Sequence, residues 1–177
     1  MYLDKLMNTF GYSEMYEWSE RFKFDIIPYG RFVTFDSDEP GKIRLCNSYD
    51  GTIGVTTINT VITSDNPEEW QGKYLCNEFG DIYLQENESN ESITKISPVI
   101  NELYNSELSY KKRSDRPEWI RVNLLGKCIV VDNGECCGGK YCTIGNDGIA
   151  IPCKYIEPKK YYVIGRLTEN TIMIFFK

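Results

Sequence analysis

The sequence predicts a mainly β fold with minor helix, and three observations lead to it. Short runs rich in β-branched and aromatic residues recur along the chain, at residues 31–35, 42–46, 53–58, 161–166 and 171–176. Clusters of Asp, Asn, Pro and Gly separate them, as at residues 36–41 and 132–134. Thirteen Tyr, eight Phe and three Trp supply aromatics well suited to strands and cores.

Taken in order, residues 1–30 mix charge with Tyr12, Met15, Tyr16, Trp18, Phe22 and Phe24 without clear alternation. Residues 31–35 and 42–46 read as a hairpin around the turn at 36–41, and 53–58 as a further strand. Asn66 suits an N-cap, Pro67 a first helical position, and Glu68 and Glu69 the positive end of the helix dipole. One helical turn ending near Gly72 is expected there. Residues 85–92 read as a surface loop, and Ser97-Pro98 precedes a hairpin or extended stretch through Tyr110.

Pro117-Glu118-Trp119 leads into residues 120–131, which read as a buried strand pair interrupted by Gly126. Asp132-Asn133-Gly134 predicts a hairpin turn, residues 145–152 a turn and short strand, and Thr168-Glu169-Asn170 the link between the last two strands. The expectation is a single compact domain of roughly ten short strands, sandwich-like or barrel-like.

Composition narrows the function. The net charge is −6, and the basic cluster Lys111, Lys112, Arg113 and Arg116 is flanked by Ser and Asp, so a solvated loop is expected and no nucleic-acid partner. The absence of His excludes a Ser-His-Asp triad, a Cys-His dyad and any His-ligated metal. No run approaches the ~18 apolar residues of a membrane span, and the stretch from Met1 to Phe10 carries Asp4 and Lys5 rather than a signal-peptide core. A soluble chain made in a cytoplasm, with no membrane partner, is expected.

The seven Cys include Cys136, Cys137, Cys142 and Cys153 in a Gly-rich segment, without paired C-x-x-C spacing. They read as buried or loop thiols, with a disulfide formed after release as the alternative. Trp70, beside Lys73 and Tyr74, reads as a core plug before a ligand platform. There is no G-x-x-x-x-G-K-[ST] loop. No cofactor and no metal are expected.

Several segments together carry a resemblance. Gly11-Tyr12-Ser13-Glu14-Met15-Tyr16-Glu17-Trp18, then Arg31 to Thr34 and Ile43-Arg44-Leu45, stand in the first third of the chain. Glu69-Trp70-Gln71-Gly72-Lys73-Tyr74-Leu75 and Glu78-Phe79-Gly80 stand in the middle. Arg116 to Trp119, Leu124-Leu125-Gly126-Lys127, Asp132 to Cys136 and Gly148-Ile149-Ala150 follow. In order and spacing they resemble the intramolecular-chaperone, autoproteolytic cleavage domain of phage pre-neck appendage and tailspike proteins, which has relatives in giant-virus fibre and collagen-like proteins.

The resemblance implies a homotrimer that aligns three copies of an upstream spike or fibre segment and then cuts itself free near its own N-terminus. Fibres of non-local β pairings fold slowly, because loop closure precedes contact energy, and a trimeric clamp raises the effective concentration of the three chains. Residues 1–10 would then be an upstream segment or fibre remnant and residues 11–177 the domain itself. Its place would be the host cytoplasm during assembly, and the virion surface afterwards.

By the same resemblance the cut falls between Phe10 and Gly11, and Glu14 is the acid or base of a carboxylate-dependent peptidase acting on its own chain. Burial that raised the Glu14 pKa would suit that role. The family's junction has a Ser before the cut and an Asp after it; Phe10 and Gly11 carry neither group, and the nearest hydroxyl is Thr9. The alternative is a catalytically inert trimeric module for the virion surface or adhesion.

Overall fold

The computed structural model describes residues 11–20, 26–58, 60–87, 95–153 and 160–177. The β expectation holds. Among the described residues the strands are β1 (Gly11–Glu17), β2 (Phe32–Phe35), β3 (Ile43–Leu45), β4 (Gly54–Thr57), β5 (Ile62–Ser64) and β6 (Leu84–Asn87). The later ones are β7 (Lys95–Pro98), β8 (Trp119–Val131), β9 (Tyr141–Ile144), β10 (Ala150–Pro152), β11 (Tyr161–Thr168) and β12 (Thr171–Phe176). Described helix is confined to 3-10 turns at Arg113–Asp115 and Asn146–Gly148. The chain divides into two compact units, one from Met1–Asn66 with Arg113–Lys177 and the other from Pro67–Lys112.

The first unit is organised by β8, a strand of 13 residues. It pairs antiparallel with β1 across Trp119 to Gly126, with β4 across Arg121 to Asn123, and with β12 across Gly126 to Val131. The sheet runs β10-β9-β11-β12-β8-β4-β2-β3, and β1 also pairs parallel with β5. The strand pair expected within 120–131 is therefore one strand. Gly126 takes φ +107°, open to a residue without a Cβ, so the chain changes course there without ending.

Asp132-Asn133-Gly134 does not close a hairpin, because β8 is followed along the sheet by β12 rather than by β9. The Asp132 carboxylate instead accepts from Arg166 and from the Cys136 amide, which folds these residues into a loop. Two cores hold the unit together. Phe32, Val55, Val130, Val163, Ile172 and Ile174 pack with Cys46, Cys128, Cys136 and Cys142, while Trp18, Val33, Ile43, Ile120 and Val122 form the second. Ile172, Met173, Ile174 and Phe176 of β12 and Ile120, Val122, Cys128 and Val130 of β8 are buried, and their removal from water is the main stabilising term.

In the second unit β6 and β7 pair antiparallel, with bridges between Tyr74 and Ile100 and between Cys76 and Ile82. The loop expected at 85–92 thus begins as a strand, and residues 88–94 lie outside the described residues. No helical turn follows Asn66. Its amide is spent on Ser114, accepting from the Ser114 N–H at 3.1 Å and donating to Oγ at 3.2 Å, so it caps nothing. Trp70 is no core plug: it is 37% exposed and stacks edge-on against Tyr110.

The basic cluster is paired as a loop should be. Lys112 meets Glu68 at 2.6 Å, Arg113 pairs with Asp65, and both Arg113 and Arg116 lie over the Trp119 ring.

Candidate active site

Strand β1 carries the candidate site, although the sequence shows no clear alternation there. Its inward positions are Ser13 and Met15, both buried, and its outward ones are Tyr12, Glu14 and Tyr16. A polar residue at an inward position hides the period of two. Ser13 is satisfied by a hydroxyl cluster, with Thr60 Oγ1, the Ile62 carbonyl at 3.2 Å and Thr63 Oγ1 at 3.2 Å. Parallel pairing with β5 aligns Glu14 with Ser64.

On the outward face Glu14 is held by hydroxyls. Tyr12 donates to Oε1, Tyr16 donates to Oε2 at 3.0 Å, and Ser64 Oγ lies 2.6 Å from the Tyr12 hydroxyl. The Tyr12 hydrogen bond holds the Glu14 carboxyl below its ordinary range; burial opposes this, and Tyr16 and Ser64 add to it. The rise by burial that would suit an acid or base is therefore outweighed, and the shift is downward. Glu14 is a carboxylate at neutral pH, which suits a base and not an acid. Burial and the Glu14 carboxylate push Tyr16 up to about 12, so Tyr16 stays a proton donor.

A purely structural carboxylate would call for an arginine partner; among the described residues the hydrogen-bond partners of Glu14 are hydroxyls. Glu17, its neighbour in sequence, pairs with Lys42 at 3.1 Å and takes no part in the site.

Gly11 opens β1 and pairs with Gly126. A Cβ at Gly11 would fall well inside van der Waals contact distance of Asn123 Oδ1, 2.9 Å from Asn123 Cγ and 2.8 Å from the Leu125 carbonyl oxygen. The register of β1 against β8 shifts between Tyr12 and Ser13, so Leu125 faces Tyr12 while Asn123 faces Ser13. Phe10 and Thr9 lie outside the described residues.

None of the seven cysteines is in a disulfide, and burial pushes the Cys128 thiol up to about 12. A hydrogen bond with Cys136, together with burial, pushes Cys142 upward as well. Among the described residues no group of three His, Cys, Asp or Glu side chains is arranged to hold a metal.

Gly11 thus opens a paired strand, and three residues later stands a carboxylate held by hydroxyls. Residues 5–170 match the model of the Peptidase_G2, IMC autoproteolytic cleavage domain, and the chain belongs to that family. The pre-neck appendage protein of Bacillus phage B103 is 34% identical over 120 residues, covering 67% of this chain and 14% of the relative. That of Bacillus phage phi29 is 32% identical over 120 residues with the same coverage. The putative phage-related protein YobO of Bacillus subtilis (strain 168) is 32% identical over 142 residues, 77% of this chain and 17% of the relative. The chain thus spans a small part of the length of the curated relatives it matches.

Among solved structures, the pre-mature gene product 12 of bacteriophage phi29 superposes with a TM-score of 0.71 and 24% identity, over 96% of this chain and 22% of that one. The C-terminal fragment of the same gene product superposes with a TM-score of 0.68 and 25% identity, over 94% of this chain and 99% of the fragment.

Sequence reasoning placed Glu14 through the resemblance. It did not find Tyr16 or Ser64 as partners, nor Asn123 beside Gly11. The pattern Tyr12-x-Glu14-x-Tyr16 was the available signal for the first, since residues two apart share a strand face. Nothing local marks Ser64 or Asn123, because strand pairing alone brings them to β1.

Proposed function

We propose that this chain is the assembly domain of a longer viral appendage or fibre protein. Three copies associate, align the segments upstream, and each chain is then cut between Phe10 and Gly11. The observation that carries this reading is Glu14 itself: a carboxylate kept ionised by neutral donors on an accessible face, three residues beyond the junction.

Three residues of extended strand separate the Cα atoms of Gly11 and Glu14 by about 10 Å, so on this reading Glu14 acts through water rather than by direct attack. Glu14 takes a proton from water, whose oxygen adds to the Phe10 carbonyl carbon. Collapse breaks the C–N bond, and the proton passes to the Gly11 nitrogen. Water is consumed, and a carboxylate and an amine are formed. No side chain at position 10 or 11 is required by this route, which accommodates Phe10 and Gly11 where the family has Ser and Asp.

One observation favours the inert alternative, that of a trimeric surface module: Gly11 lacks any reactive side chain. The two readings separate when the chain is fused behind a trimeric fibre segment. The self-releasing domain gives a trimer by analytical ultracentrifugation and then a free C-terminal fragment on a gel. A stable uncut trimer supports the inert module, and a stable monomer at high micromolar concentration contradicts both.

A further inference from the structure

Asn123 sits against Gly11 and is only partly satisfied. The residue is 1% exposed, and its Nδ2 donates to the Lys127 carbonyl at 3.2 Å. That bond fixes the orientation of the carboxamide, and Cys128 is hydrogen-bonded to the same group. The other end, Oδ1, is buried without a hydrogen-bond partner. Buried acceptors left unpaired are few in folded proteins, and each calls for an explanation.

Its position gives one. Oδ1 lies where the Cβ of residue 11 would stand, against the backbone of Gly11. The Gly11 nitrogen and that missing Cβ are substituents of one Cα. Before the cut this nitrogen is an amide with a single hydrogen; after it, an amine with up to three. The cut therefore creates new donors beside a buried acceptor that has none.

We infer that Asn123 is a positioning residue for the cleavage, whose Oδ1 accepts a hydrogen bond from the Gly11 amine as the C–N bond breaks. The inference rests on the reading that the chain is cut before Gly11. It gives Oδ1 a partner in the product that it lacks in the uncut chain, so it favours amine departure over re-formation of the bond. It also accounts for glycine at position 11, since a side chain there would displace the carboxamide.

The test uses the full chain with residues 5–10 replaced by the recognition sequence of a site-specific protease that cuts before glycine. The amine at Gly11 then forms whether or not the chain cuts itself. Its titration is read from the pH dependence of N-terminal acetylation by mass spectrometry, in the original residue and in Asn123→Asp and Asn123→Leu. Around this amine Cys128 remains a neutral thiol, the Tyr12 hydroxyl is committed to Glu14, and Lys127 and Lys177 are exposed. The introduced carboxylate is thus the charge that changes.

The inference expects the amine to titrate highest with Asp, by about one pH unit over Asn, and lowest with Leu, where burial acts without an acceptor. Where the leucine chain does not fold, the Asp and Asn chains carry the same comparison. Identical titrations overturn the inference even if the natural junction cuts itself. The graded order without any self-cleavage of the natural junction upholds the contact and sinks the cleavage reading instead. Where the natural junction does cut, Asn123→Leu slows it at least about tenfold, as expected for loss of a polar contact at the reacting group, and an unchanged rate overturns the inference.

Discussion

Asp132 and Glu14 are both carboxylates held below their ordinary range, and they are held by opposite means. The Asp132 side chain is fully buried, and burial alone would raise its pKa. Arg166 and the Cys136 amide outweigh that, with Arg166 Nη2 at 2.7 Å and the amide at 3.0 Å. Among the described residues the donors to Glu14 are hydroxyls, Tyr12 and Tyr16, on a face that stays partly open. A carboxylate neutralised by a guanidinium is committed to structure, because its proton affinity has been spent on the ion pair. One held by phenols keeps its charge and its access to water, and can still take up a proton.

The largest stability effect should come from breaking the Asp132 arrangement. Asp132→Asn is expected to cost about 2–3 kcal/mol in chemical denaturation, since it uncouples a buried hydrogen-bonded charge. A lowered folded pKa stabilises above the unfolded value of about 3.9, and this is lost as pH falls through the folded value. The original chain should therefore lose stability below about pH 4, and the Asn variant should lose less there. An unchanged midpoint would remove the structural half of the contrast.

A smaller effect is expected at the junction. Gly11→Ala forces a Cβ against the Asn123 carboxamide and the Leu125 carbonyl, at a cost of about 1–3 kcal/mol. Adding Asn123→Gly should recover part of it, the Leu125 contact being backbone and remaining. The same crowding predicts that Asp at position 11 costs at least as much stability as Ala does. Chemical denaturation of the single and double variants checks this.

The smallest effect sharpens the comparison from the other side. Tyr12→Phe removes the main donor holding Glu14 down, so the Glu14 pKa rises toward its ordinary value. Cleavage needs the carboxylate and is lost as pH falls through that pKa. The acid limb of the pH–rate profile should move to higher pH, with the alkaline limb unmoved. An acid limb that stays in place while the alkaline limb moves to higher pH would show that Glu14 works protonated.

Much of the fold was legible. The hairpin of β2 and β3, the strand β4 and the final pair β11 and β12 follow from period-two patterns and nearby turn residues, which act locally. β1 was not legible, because Ser13 occupies an inward position and is satisfied by Thr60, the Ile62 carbonyl and Thr63 on a distant segment. The continuity of β8 through Gly126 was missed because a glycine in a strand pattern normally signals an interruption, and here β1 and β12 meet the strand on either side of it. Of the site, Glu14 came from a family resemblance and Asn123 not at all. An asparagine in an apolar strand shows its purpose only once pairing brings Gly11 against it.

The account stands on Glu14 acting as the base for a cut before Gly11. The direct measurement is a time course of intact mass on the chain fused to an upstream trimeric segment, with the original residue and with Glu14→Gln. The account predicts a fragment beginning at Gly11 from the original chain. It predicts a loss of about a hundredfold or more in Glu14→Gln with trimerisation and melting unchanged, since the amide keeps the shape but takes up no proton. A fragment beginning at Gly11 that forms at the same rate in Glu14→Gln trimers would contradict it.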